Sequence, residues 1–132
     1  MTISTLLVAN RGEIAVRILR SAKDLGIRTV LAVSEIDQGS LAAEHADEIA
    51  VVGPAPAQAS YLNVQALVAA GKETGCDAVH PGYGFLSENA GFARGVQDAG
   101  MTWVGPAPDV IDLMGHKTRA LEAALDAGVP VL

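Results

Sequence analysis

Short apolar runs alternate with stretches of helical periodicity along this 132-residue chain, and that alternation leaves few architectures open. Leu6-Leu7-Val8-Ala9 reads as a strand, and the turn Asn10-Arg11-Gly12-Glu13 leads into a segment where Ile14, Ile18, Ala22 and Leu25 recur at helical spacing before Gly26 stops it. Arg28 to Val33 reads as a second strand, Ser40 to His45 as a short helix with Ser40 as its N-cap, and Glu48 to Val52 as a third strand. Gly53-Pro54-Ala55-Pro56 breaks that strand, and the helix from Val64 to Ala70 ends at Gly71 or Gly75. A fourth strand runs from Asp77 to His80, a helix from near Ser87 toward Gly100, and a fifth strand from Thr102 to Val104. Helices at Ala107 to Met114 and Lys117 to Ala127 follow, and Gly128 to Leu132 starts a further strand. This order predicts an α/β fold with a doubly wound, mostly parallel, Rossmann-like sheet, within one domain spanning 1–132.

Composition agrees with that architecture. Half of the residues are hydrophobic but only 4% are aromatic, so the core must be built from Ala, Val, Leu and Ile, as in a sheet covered on both faces. A net charge of −6 lacks the basic footprint of a nucleic-acid binder. The single cysteine, Cys76, cannot form an internal disulfide and reads as a core or rim residue, and no Cys/His cluster has metal-ligand spacing. No apolar run approaches the ~18 residues of a membrane span. The first strand begins within a few residues of Met1, which leaves no room for a targeting peptide, so a cytoplasmic location, in a bacterium, is expected.

The richest stretch for chemistry is His80-Pro81-Gly82-Tyr83-Gly84-Phe85-Leu86-Ser87-Glu88-Asn89, a strand-to-helix loop of the kind that lines the crevice of a parallel sheet. Gly82 and Gly84 flank Tyr83 and permit positive φ on either side of a ring held at a set angle. The competing reading has Tyr83 and Phe85 plugging the edge of the core and Glu88 complementing the dipole of the next helix. A dinucleotide site is the rival for the first β-turn-α unit. It needs three glycines at fixed offsets, whereas this turn offers Gly12 alone and places Glu13 where phosphate would be repelled. Glu35 and Asp37, after the second strand, are the one feature in its favour.

Five strings in register carry a resemblance: A-N-R-G-E-I-A-V-R-I-L-R at 9–20, G-P-A-P at 53–56, S-Y-L-N at 60–63, H-P-G-Y-G-F-L-S-E-N at 80–89 and L-M-G-H-K at 113–117. Together they resemble the amino-terminal domain of biotin carboxylase, the domain preceding ATP-grasp in acetyl- and propionyl-CoA carboxylase alpha subunits and in pyruvate carboxylase. The resemblance covers the chain nearly end to end.

It implies an ATP-dependent ligase that carboxylates carrier-bound biotin from bicarbonate, with ATP, Mg²⁺ or Mn²⁺, and biotin as the cofactors of a complete subunit. Most of that machinery belongs to the ATP-grasp and carboxy-terminal parts, so this chain alone is expected to be inactive and to bind none of them tightly. The alternative is a free-standing, non-catalytic dimerisation or docking module. By the same resemblance Lys117 reaches the nucleotide phosphates, while Tyr83 and Gly84 border the biotin pocket, with Glu88 and His80 as further candidates. From the residues alone, Lys117 reads as an ordinary exposed helix lysine and His80 as a satisfied core histidine at a strand end. Arg17, Arg20 and Asp24 share one helix stripe, either a solvated face or the homodimer contact that the resemblance implies. The family commonly has Glu where Asp24 stands, and Asp where His116 precedes the nucleotide lysine. Expected partners are a biotin carboxyl carrier protein or domain, the rest of the carboxylase and a second copy of the chain.

Overall fold

The computed structural model of the chain describes residues 2–132. Five strands, β1 (Thr5–Val8), β2 (Arg28–Ser34), β3 (Glu48–Gly53), β4 (Ala78–His80) and β5 (Thr102–Trp103), pair in the order β3-β2-β1-β4-β5. Every pair is parallel. Six helices accompany them: α1 (Gly12–Asp24), α2 (Leu41–His45), α3 (Val64–Glu73), α4 (Ala90–Asp98), α5 (Pro108–Gly115) and α6 (Lys117–Asp126).

The period-2 alternation of strand side chains divides the core into two layers. Leu6 and Val8 of β1 point to one side, where Leu31, Val33 and Ala78 join Ala15, Ile18, Leu19 and Ala22 of α1 and Ala42 of α2. Leu7 and Ala9 point to the other side, among Val30, Val79 and Trp103, Leu67 of α3, Phe92 and Val96 of α4, and Ile111 of α5. Two of the five aromatics lie in this second layer, where Phe92 meets Trp103 edge to face at 5.3 Å. Cys76 is buried there and its thiol is pushed up by burial, as a core residue requires.

Ser40 caps α2 as expected, its side chain accepting from the Ala43 amide. Of the two candidate stops for α3, Gly75 is the one used, with φ 71°, while Gly71 is buried inside the helix. Two expectations fail. The helix after the His80–Asn89 loop begins at Ala90 and ends at Asp98, later and shorter than the Ser87-to-Gly100 reading. Phe85 has φ 41°, which no right-handed helix accepts, and it is Asn89 that caps the helix by accepting from the Phe92 amide at 2.8 Å. The strand expected over 128–132 does not form; Val129 and Val131 are exposed and pair with no neighbouring strand.

Outward growth from β1 to β3 and the return to β4 put the reversal of strand order between β1 and β4. At such a switch point the loops leaving the carboxyl ends of the two strands diverge and form a crevice. Here those loops are 9–11 and 81–89.

Candidate functional site

In this protein the two loops are laced together. The last rung runs from the Ala9 N–H to the His80 carbonyl at 2.9 Å, and Asn10 then turns inward, 2% exposed. Its Nδ2 donates to the carbonyls of Pro81 at 2.8 Å and Tyr83 at 2.7 Å, and its Oδ1 accepts from the Arg11 N–H at 2.8 Å. Both amide protons are thereby used. Gly82 makes this approach possible: at φ 65° a side chain is strained, and a Cβ would lie 2.8 Å from Asn10 Nδ2.

Beyond Gly82 the Tyr83 ring stands 57% exposed, and its hydroxyl donates to Glu13 Oε1 at the start of α1. That hydrogen bond, with the negative charge behind it, raises the phenol above its ordinary range and keeps it protonated. Tyr83 is therefore no core plug. A Cβ on Gly84 would meet nothing within 4 Å outside its chain neighbours, so the backbone next to Tyr83 is open. Phe85 follows in the left-handed region, a conformation that costs about 1–3 kcal/mol and persists only where surrounding contacts impose it.

One of those contacts is Tyr61, which stacks on Phe85 with ring centroids 5.2 Å apart. Tyr61 is 2% exposed; its hydroxyl donates to Asp37 Oδ2 at 2.6 Å and accepts from the Ser34 N–H at 3.0 Å. Asp37 also receives Ser34 Oγ at 3.1 Å and a two-pronged contact from Arg11, Nε and Nη2 each at 2.9 Å. Burial opposes ionisation of Asp37, yet the hydrogen bonds from Arg11, Tyr61 and Ser34 outweigh it and hold the carboxyl below its ordinary range. The Arg11 guanidinium lies 5.8 Å from the Tyr61 ring centroid. Asp37, one of the two acids that favoured a ribose site, is thus committed to Arg11, Tyr61 and Ser34.

His80 is half-buried, and its Nδ1 accepts from the Gly82 N–H at 3.0 Å. Burial lowers its pKa, in keeping with a contact that needs Nδ1 unprotonated. Glu88 is exposed one residue before the cap of α4, where it lines a cleft of about 520 Å³ with Ser87, Pro106, Val110, Met114 and Gly115. Lys117 lies two residues past Gly115, exposed at the first position of α6; His116 precedes it as N-cap with no side-chain cap bond. Arg17, Arg20 and Asp24 are exposed on α1, and no ion pair forms to them among the described residues. Arg17 and Arg20 border one groove with Glu13, Val16 and Leu41. The fold therefore brings Tyr83, Gly84 and His80 together in one turn, joins Glu88 to the end of α5 that leads to Lys117, and sets Arg17 and Arg20 of the α1 stripe in a groove with Glu13, the partner of the Tyr83 hydroxyl.

Sequence reasoning overlooked Asn10, Arg11, Asp37 and Tyr61 as a connected set. An asparagine directly after the first strand was the available signal, since such a residue must bury its amide among partners. Among the described residues no group of three His, Cys, Asp or Glu side chains converges to hold a metal ion, and no helix is long and apolar enough to cross a membrane.

Comparison with known proteins adds independent information. The family profile "Biotin carboxylase, N-terminal domain" matches residues 2–111. Biotin carboxylase of Haemophilus influenzae is 54% identical over 125 residues, covering 95% of this chain and 28% of the relative. Mitochondrial pyruvate carboxylase of Rattus norvegicus is 51% identical over 132 residues, 98% of this chain and 11% of the relative. The biotin carboxylase domain dimer of Hydrogenobacter thermophilus 2-oxoglutarate carboxylase, in complex with MgADP, ADP and bicarbonate, superposes with a TM-score of 0.94 at 45% identity, covering 100% of this chain and 29% of that one. The chain thus spans under a third of the length of these relatives.

Proposed function

Since this chain belongs to the biotin carboxylase N-terminal domain family, we propose that residues 1–132 form the amino-terminal, pre-ATP-grasp domain of a carboxylase that uses ATP and bicarbonate to carboxylate carrier-bound biotin. One observation carries the site: an exposed tyrosine ring is tied at both its carbonyl and its hydroxyl, with open space at the next residue. A ring fixed in solvent contributes little to a core but presents a flat, preset wall to a ligand.

The residues present suit such a ligand. The exposed face of Tyr83 offers packing surface to biotin's fused rings, and the missing side chain of Gly84 lets them approach the backbone. Two residues past Gly115, which lines the cleft that Glu88 also lines, the Lys117 ammonium and the first-turn amides of α6 are donors suited to polyphosphate. Bound ATP would supply activation of bicarbonate. Glu88 and His80 act on the turn itself, His80 by accepting the Gly82 N–H and Glu88 by lining the cleft toward α5. Among the described residues no group of three His, Cys, Asp or Glu side chains converges to hold Mg²⁺; the MgADP complex of the thermophilic relative supports Mg-nucleotide as the working form.

The same relative is described as a dimer, which supports the exposed Arg17, Arg20 and Asp24 stripe as the contact with a second copy. A biotin carboxyl carrier protein or domain and a cytoplasmic setting complete the proposal.

The test is made on the carboxylase that carries this domain. Tyr83→Ala is expected to lower kcat/KM for biotin while reducing stability to urea by less than about 1 kcal/mol, as for an exposed site. A stability loss of about 3 kcal/mol, the cost of emptying an aromatic core site, overturns the reading. Lys117→Ala is expected to raise the KM for ATP and leave that for biotin unchanged.

A further inference from the structure

We infer that the turn after β1 is the positioning element for Tyr83: Asn10 fixes the residue's carbonyl, Glu13 fixes its phenol, and the ring is aimed before any ligand arrives. The inference rests on the reading of Tyr83 as a biotin contact. Its basis is that one short segment, separated by 73 and 70 residues from Tyr83, catches that residue at both ends.

Asn10 cannot be replaced in this role by anything of its size. Its carbonyl oxygen is held by the Arg11 N–H, so its NH₂ group is the part that faces the carbonyls of Pro81 and Tyr83. An aspartate has the same shape but would turn a negative oxygen toward two carbonyl oxygens. Glu13 differs in kind. It is exposed, and exposed polar pairs contribute little to stability, so its contact with the phenol acts chiefly on ring direction. The stack of Phe85 on Tyr61 holds the far end of the same turn. With carbonyl and hydroxyl tied and Phe85 stacked two residues on, Tyr83 gives up little conformational freedom when a ligand packs on it, and preset geometry of that kind is what raises affinity.

Kinetics are read on the carboxylase carrying this domain, with free biotin as substrate, and turn order on the 132-residue chain by amide hydrogen exchange at residues 82–86. Asn10→Asp is expected to raise the biotin KM by about tenfold, at least as much as Asn10→Ala, with the ATP KM unchanged, and to speed exchange across the turn. Glu13→Ala is expected to raise the biotin KM about threefold, whereas Glu13→Gln, which keeps an acceptor oxygen, restores it. The Glu13 variants fold regardless, since the side chain is exposed. Asn10→Ala proving worse than Asn10→Asp would mean that Asn10 only fills space, and overturns the inference. So does unchanged exchange in Asn10→Asp, or an unchanged biotin KM in Asn10→Asp while Tyr83→Ala still impairs biotin use. If Tyr83→Ala is silent as well, the biotin reading is what fails.

Discussion

The switch-point loops and the carboxyl-terminal helix make opposite use of backbone regularity. Residues 81–89 form no regular element until Ala90, yet Asn10, Glu13 and Tyr61 engage that loop through carbonyls, a hydroxyl and a ring. α6 is a regular helix from Lys117 to Asp126, yet it buries no side chain and leaves Leu121 and Leu125 exposed. α6 rests on its own hydrogen bonds and a partly buried contact with its neighbour α5, whereas contacts from residues far along the chain specify the loop. Substitutions should therefore be costly in the irregular region and nearly silent in the regular one.

Gly82→Ala should have the largest effect, because it combines a strained φ with a Cβ 2.8 Å from Asn10 Nδ2. A loss of about 3 kcal/mol in urea unfolding is expected. A loss under about 1 kcal/mol would show that the loop is not fixed by its neighbours.

Asp37→Asn comes next, at about 1–2 kcal/mol at neutral pH, since it weakens hydrogen bonds to a charged partner. The pH dependence has a definite sign. The folded-state pKa of Asp37 lies below its unfolded value, so its stabilisation is present above about pH 4 and is lost as pH falls through the folded pKa. The gap between the two proteins in urea midpoint should accordingly shrink from pH 7 to pH 3; a constant gap would remove the charge from the explanation.

In the regular region the effects should be smaller and can be favourable. His116 sits at the N-cap of α6 with its side chain making no cap bond, so His116→Asp should stabilise by roughly 0.5–1.5 kcal/mol. The urea midpoint at pH 7 decides it: an unchanged or lower value would mean that His116 is not the cap that matters. Leu125→Gln should change stability by less than about 0.5 kcal/mol, because the side chain is already in solvent. A larger loss would mean that α6 packs on the domain more than its exposure indicates.

The same contrast explains what could be read without coordinates. Runs such as Leu6–Ala9 and Val30–Val33 announce buried strands, and the spacing of Ile14, Ile18 and Ala22 announces a helix, because each signal lies within a few residues. The late start of α4 was illegible because it depends on Phe85 adopting φ 41°, which the stack on Tyr61 supports from 24 residues away. Val129 and Val131 have strand-forming side chains but no neighbouring strand to pair with, a fact that propensity cannot supply. At the candidate site, the glycines around Tyr83 did signal a held ring, while Asn10 and Asp37 were hidden by separations of 73 residues to Tyr83 and 26 to Arg11.

The brevity of β5 also bears on how the molecule behaves in a crowded solution. An edge strand exposes a row of unpaired donors and acceptors on which another chain can grow a sheet. Here that edge is two residues long, and Gly105-Pro106 follows almost at once, with a proline that has no N–H to offer. The fold thus carries protection against edge-to-edge aggregation on this side. Lengthening β5 by replacing Gly105-Pro106 with strand-forming residues would remove it.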